Sequence, residues 1–187
     1  MGALPGGAPL RRWLELGPGE GAFTLALADL LGPGAEITAI DRDAAAVRRL
    51  GGEMAARFPR VRLTTVSADF ERPLALAGPP YDGLLAANAL HFARDPAAVI
   101  ARLVPSLRPA ARVVVVEYDT DRGNPWVPHP FSYGTWQRIA ADAGLVGTRE
   151  IGRVPSRFLG AIYAAASEVA DARTVGRMTD GASARGR

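Results

Sequence analysis

The run Glu15-Leu-Gly-Pro-Gly-Glu-Gly21 sets three glycines at alternate positions between two apolar segments of different period. Before it, Trp13 to Leu16 reads as a short buried strand. After it, Phe23, Leu27, Leu30 and Leu31 recur at helical spacing until Gly32-Pro-Gly34 stops the helix. Glycine alone lets a backbone turn this tightly and approach a ligand this closely, so a strand feeding through such a turn into a helix is the opening unit of a ligand-binding α/β sheet.

The same alternation continues along the chain and implies an α/β fold. Glu36 to Ile40 makes a strand. A helix over 43–57 carries Val47, Leu50, Met54 and Phe58 on one side, although Gly51-Gly52 in its middle costs about 1 kcal/mol per glycine. Val61 to Val66, Asp82 to Ala87 and Arg112 to Tyr118 read as further strands, the last with the strongest signal, Val113-Val-Val-Val116. Asp95-Pro96 is a cap followed by proline at the first helical position, and it opens a helix with Ile100, Leu103 and Val104 inward, which Pro105 ends. Asp119 to Phe131 is a long proline-punctuated loop, read as a lid. Ser132 caps a helix to Ala143 that turns Trp136, Ile139 and Ala140 to the core, with Gly144 as its stop. Two strands close the chain, Gly147 to Val154 and Leu159 to Ala166. Residues 1–11 are expected to be a flexible start, 12–167 one domain, and 168–187, which are small, polar and Arg-rich without periodicity, a disordered tail.

Composition narrows the function classes. With 48% hydrophobic and 22% charged residues the chain is an ordinary globular one, large enough to fold without staples. The net charge is only +3, and all 22 basic residues are Arg, spread among 19 acids instead of gathered in a stripe, which argues against a nucleic-acid partner. There is no cysteine, which excludes thiol catalysis, disulfides and thiolate metal sites, and the two histidines have no zinc-ligand spacing, so no metal is expected. No apolar run reaches membrane-spanning length and the first ten residues have no signal-peptide pattern, so a cytoplasmic protein is expected.

The glycines by themselves leave two cofactor classes open. Gly17-x-Gly19-x-x-Ala22, followed by Asp41 twenty residues after Gly21, also fits a dinucleotide fingerprint. Charge separates the two. A dinucleotide sets an anionic pyrophosphate over this turn, where Glu15 and Glu20 would oppose the attraction of the helix terminus. S-adenosylmethionine instead brings a sulfonium and an ammonium, which a carboxylate at the strand end favours.

Glu15-Leu-Gly-Pro-Gly-Glu-Gly21, Ile40-Asp41, Ala68-Asp69-Phe70 and Asn88-Ala-Leu-His91 together resemble the class I S-adenosylmethionine-dependent methyltransferase family over about residues 12 to 166. The resemblance implies a single-domain Rossmann-like, doubly wound sheet of seven strands in the order 3-2-1-4-5-7-6, the last strand antiparallel. It implies that Glu15 and the turn Gly17, Pro18, Gly19 and Gly21 hold the methionine end, that Asp41 with neighbouring Arg42 holds the ribose, that Asp69 and Phe70 meet the adenine, and that Asn88 adjoins the cofactor. The product is then S-adenosylhomocysteine.

Each residue also has a plainer reading. Asp41 could be a helix cap, Asp69 a loop acid, and His91 a satisfied structural histidine, but all three fall after strands, at the carboxyl edge where open α/β sheets bind ligands. His91 is the first candidate for a base, with Glu117 and Asp119 after it. Trp126, His129, Phe131 and Tyr133 are expected to shape the acceptor side. Asn88-Ala-Leu-His91 lacks the Asn/Asp-Pro-Pro-aromatic run of nucleobase amino methyltransferases, and fewer than fifteen residues precede the first strand, which leaves the pocket more open, with room for larger acceptors, or moves lid duty to 119–133; the acceptor expected is small or medium-sized, aromatic acceptors included. The rival readings are a nicotinamide-dependent oxidoreductase, which would have to work without lysine, and a non-catalytic scaffold of the same fold.

Overall fold

The computed structural model describes residues 11–171. Its elements in chain order are β1 (Arg12–Leu16), α1 (Ala22–Leu31), β2 (Glu36–Asp41), α2 (Ala44–Arg57), β3 (Arg62–Ser67), β4 (Tyr81–Ala87), α3 (Pro96–Leu103), β5 (Leu107–Tyr118), α4 (Tyr133–Asp142), β6 (Leu145–Ser156) and β7 (Gly160–Val169). The strands form one sheet in the order β3-β2-β1-β4-β5-β7-β6. β1 to β5 pair in parallel, and β7 inserts antiparallel between β5 and β6. The expected fold and strand order are therefore found. The order reverses between β1 and β4, so the chain leaves these adjacent strands in opposite directions and opens a crevice at their carboxyl ends.

Helices cover both faces. α3 and α4 bury Leu14, Leu16, Leu84, Val113, Val115, Trp136 and Tyr163 on one side, and α1 and α2 bury Trp13, Ile37, Leu50, Met54 and Leu85 on the other. Trp13 fits because its neighbour across the pairing is Gly83, where a Cβ would come within 2.6 Å of the indole. Fully burying a side chain of this size stabilises the fold by roughly 1.5–3 kcal/mol.

Caps set the helix starts. Asp95 accepts from the Ala98 N–H ahead of Pro96, and Ser132 accepts from the Thr135 N–H, both as the sequence suggests. α2 is capped by Asp43, which takes the Ala45 and Ala46 N–H groups, so the plain helix-cap reading of Asp41 fails and that carboxylate is free for other contacts. In α1 the buried face is Thr24, Leu27 and Ala28, one step round from the Phe23–Leu30 row. Phe23 and Leu30 are exposed because this all-round apolar helix has only one side against the sheet. β7 runs on to Val169, paired with Leu145, so Glu168 and Val169 belong to the sheet instead of the tail. Expectations for residues 1–10 and 172–187 lie outside the described residues.

Candidate active site

At the β1–β4 crevice the glycine turn takes a conformation that side chains resist. Gly17, Gly19 and Gly21 all have positive φ, at 60°, 53° and 87°. A Cβ on Gly17 would lie 2.6 Å from the Ala89 Cβ and one on Gly21 2.5 Å from the Leu50 Cδ1, whereas nothing lies within 4 Å of a Cβ on Gly19. Gly17 and Gly21 thus let the turn pack against Ala89, just past β4, and against Leu50 of α2, and Gly19 leaves open space above it. The Gly17 N–H donates to the Ile40 carbonyl (2.8 Å), and the Gly19 N–H donates to Asp41 Oδ2 (3.1 Å), so the end of β2 latches the turn. The other Asp41 oxygen accepts from the Asp43 N–H at 2.9 Å.

A cavity of about 350 Å³ opens over this turn. Its wall includes Gly17, Gly19, Asp41, Arg42, Asp69, Phe70 and Asn88, which gathers into one place residues that the sequence spreads over four loops. Pro18, Gly21 and Glu15, also expected at the cofactor, do not line it. Glu20, which flanks the turn, and Ala89 line it too, as do Asp43, Arg49, Glu71 and Phe92, which the sequence did not mark. No periodicity marks these positions, since the first half of α2, the residues after β3 and the turn after β4 are brought here by topology. The wall carries the carboxylates of Glu20, Asp41, Asp43, Asp69 and Glu71 against the guanidinium groups of Arg42 and Arg49. Such a surface suits hydroxyl and cationic donors and works against a pyrophosphate.

Among the buried polar atoms without a hydrogen-bond partner are two carbonyl-type oxygens near the crevice, Glu15 Oε2 at the end of β1 and Asn88 Oδ1 just past β4. Both accept and neither donates once Glu15 is ionised, so together they fit a ligand bearing cationic N–H groups. Glu15 is buried, which pushes its carboxyl up to about 7, with the nearby Thr24 hydroxyl opposing the shift. Asn88 adopts φ 50°, in the left-handed region where asparagine is among the best tolerated side chains, and its N–H donates to the Val116 carbonyl (2.8 Å).

The strained turn after β4 is held from below by Glu117 on β5. This fully buried carboxylate accepts from the backbone N–H groups of Ala89 (3.1 Å), Leu90 (2.9 Å) and His91 (3.3 Å) with Oε1, and its Oε2 lies 2.7 Å from His91 Nδ1. An acceptor-only carboxylate requires the proton on Nδ1, which leaves the lone pair on Nε2. Among the described residues no hydrogen bond to Nε2 is seen. His91 is itself buried, one residue from Phe92 on the cavity wall, with its ring against Phe92 (4.3 Å between centroids) and Tyr118 (5.9 Å).

The four residues expected on the acceptor side do not share one surface. Phe131 is a core residue beside Trp136, and Tyr133 packs on Tyr163. His129 is exposed and reaches the site through its backbone, its N–H donating to the His91 carbonyl at 2.9 Å. Trp126 is exposed, edge-on to Phe158. The loop expected as a lid is tied down at several points: Asp119 accepts from the Tyr133 N–H and pairs with Arg153, Asp121 takes the Ser132 N–H and hydroxyl, and Val127 is buried. These contacts anchor it to α4 and β6.

A second cavity of about 430 Å³ lies under the β3–β4 connection beside Tyr81 and Arg102, and contains none of the expected site residues. Among the described residues no group of three or more His, Asp or Glu could hold a metal, and no helix is long and apolar enough to cross a membrane.

Residues 14–113 match a family model described as a methyltransferase domain. No curated protein matches the chain. Among solved structures it is similar to the YcgJ protein of Bacillus subtilis (13% identity, TM-score 0.71, 87% of this chain and 93% of that one). It is similar also to the CurJ carbon methyltransferase (20% identity, TM-score 0.71, 88% of this chain), of which it spans 50% of the length. A third likeness is to N-methyltransferase NodS of Bradyrhizobium japonicum in complex with S-adenosyl-L-homocysteine (20% identity, TM-score 0.66, 86% of this chain and 79% of that one). These structural likenesses are ones of fold, and the family-model match supplies the rest. With its strand order, its glycine turn and that match over more than half its length, the chain belongs to the class I S-adenosylmethionine-dependent methyltransferase family.

Proposed function

We propose that the chain transfers the methyl group of S-adenosylmethionine to a small or medium-sized acceptor that surrenders a proton, with His91 as the base and Glu117 as the residue that positions it. The observation that carries this reading is the buried Glu117–His91 pair, whose geometry fixes the imidazole tautomer one residue from the cavity wall. When bound, S-adenosylmethionine supplies an electrophilic methyl on a sulfonium. The chain's own work is to orient, to exclude water and to move a proton. In this reading the turn from Gly17 to Gly21 and the orphaned oxygens of Glu15 and Asn88 hold the methionine end, Asp41 and Arg42 the ribose, and Asp69 and Phe70 the adenine. His91 Nε2 then takes the acceptor's proton, and the Nδ1–H shared with Glu117 stabilises the imidazolium that results.

An assay with methyl-labelled S-adenosylmethionine and three acceptor types tests this: a 1,3-dicarbonyl carbon acid, a phenol and a primary amine. The first and last are included because CurJ is named a carbon methyltransferase and NodS an N-methyltransferase. Labelled product from at least one acceptor is expected, and much less of it from the His91→Ala variant. A protein that binds S-adenosylhomocysteine yet labels none of the three would favour the scaffold reading.

Asp41 gives a narrower expectation. Losing a charged acceptor for hydroxyl donors costs about 2–3 kcal/mol, so Asp41→Ala should weaken S-adenosylhomocysteine binding roughly 30- to 150-fold by calorimetry. The Asp43 cap keeps α2 in place in this variant. Unchanged affinity would reduce Asp41 to the latch it makes with Gly19.

A further inference from the structure

We propose that Trp126 and Phe158, with Tyr118 beneath them, form an acceptor-binding wall that selects molecules presenting a planar, apolar group beside the atom to be methylated. The proposal rests on the methyl-transfer reading and deepens it by naming the substrate class. Its basis is a continuous chain of rings. Phe92, on the wall of the cofactor cavity, lies 4.3 Å from the His91 ring, His91 lies 5.9 Å from Tyr118, Tyr118 lies 6.2 Å from Phe158, and Phe158 lies 6.1 Å from Trp126. Neighbouring contacts are tilted or edge-on, the arrangement in which aromatic rings attract one another.

The chain of rings is assembled from separate places in the sequence, among them the end of β5, the loop that follows it, and the turn between β6 and β7. Its outer members are left in solvent, with Trp126 70%, Phe158 51% and Phe92 45% exposed. An indole and a benzyl group left bare in contact with one another form the kind of surface that apolar ligands cover.

Neither ring is exposed by fraying. Asn124 accepts from the Trp126 and Val127 N–H groups through its side chain, both at 2.9 Å, and its own N–H donates to the Val127 carbonyl. The Phe158 N–H donates to Ser156 Oγ at 3.1 Å, and Arg153 ties β6 to Asp119 at the root of the Trp126 loop. The two loops thus hold the rings together, with Tyr118 standing between Phe158 and His91. A planar group lying on them is in contact with surface that leads, ring by ring, to the imidazole, while the rings supply no counter-charge. An uncharged conjugated or aromatic acceptor follows as the substrate class.

The probe is 2-naphthol, titrated into protein saturated with S-adenosylhomocysteine and followed by calorimetry and by tryptophan emission. Trp13 and Trp136 are buried, so Trp126 is the tryptophan that a surface ligand quenches. Saturable binding with quenching is expected. Trp126→Ala and Phe158→Ala should each weaken it about 5- to 30-fold, with S-adenosylhomocysteine affinity and melting temperature unchanged because both rings are already exposed. Trp126→Phe should retain most of the affinity. If S-adenosylhomocysteine binds but naphthol does not, or if its affinity is the same in the Trp126→Ala/Phe158→Ala double variant, the wall is refuted and the methyl-transfer reading stands. If S-adenosylhomocysteine itself fails to bind, both fall.

Discussion

His91→Ala is expected to slow methyl transfer by roughly 100- to 10,000-fold while S-adenosylhomocysteine affinity changes little, because His91 adjoins the cofactor cavity without lining it. The sharper test is Glu117→Gln. Glutamine is nearly isosteric and its carbonyl can still accept from Ala89, Leu90 and His91, so the turn survives. Its amide, however, presents N–H where the carboxylate presented an acceptor to Nδ1. The imidazole then accepts at Nδ1 and carries its proton on Nε2, which is the wrong tautomer for a base. A loss of rate approaching that of His91→Ala, in a variant that still melts cooperatively, is the expected result. A purely structural histidine would instead lose stability and rate together, with no change in the pH profile.

Glu15→Gln is expected to stabilise the cofactor-free protein at pH 8 by as much as about 3 kcal/mol. Burial raises this carboxyl from 4.5 to about 7, and every tenfold gain in proton affinity on folding corresponds to about 1.36 kcal/mol. The sign follows from proton counting. Between about pH 4.5 and 7 the folded protein holds a proton at Glu15 that the unfolded chain has released. The contribution to stability is therefore full below pH 4.5 and is lost progressively as pH rises to about 7. Urea unfolding of both proteins at pH 5 and pH 8 should show a gap that opens with pH. The variant should also bind S-adenosylhomocysteine more weakly, since the ligand's ammonium then lacks the negative charge that ionised Glu15 provides. Parallel stability curves would mean that Glu15 is solvated. Glu15 is in this view a strain accepted at a binding site, a buried acid that the fold tolerates because the ligand neutralises it.

Much of this was legible because local rules and topology agreed. The glycine turn, the caps at Asp95 and Ser132, the run Val113–Val116 and the acids after β2 and β3 each have a short-range cause, and a parallel sheet with a switch point places the turn and those acids at one edge. What was not legible depends on contacts far apart in sequence. Glu117 stood only second in line as a base, yet it organises the turn of His91, 26 residues away, through four hydrogen-bond contacts. Phe131 and Tyr133 resembled the aromatic surface of a loop, but the chain folds them beneath Trp136 and onto Tyr163, and the exposed partner of Trp126 is Phe158, from a turn with no local signal. In α1 the apolar row Phe23, Leu27, Leu30 and Leu31 gave the period but not the face, because nearly every position in that helix is apolar and packing against the sheet buries Thr24, Leu27 and Ala28.

Calorimetric titration of S-adenosylhomocysteine and of NAD into the same protein tests the central claim most directly, since the carboxylate-lined cavity distinguishes a ligand without phosphate, bearing an ammonium, from an anionic pyrophosphate whatever the acceptor. One S-adenosylhomocysteine should bind per chain, and at 100 times its dissociation constant it should add about 2.7 kcal/mol of stability and raise the melting temperature by roughly 5–10 °C, with no response to NAD. Binding and stabilisation by NAD, with S-adenosylhomocysteine silent, would contradict the account.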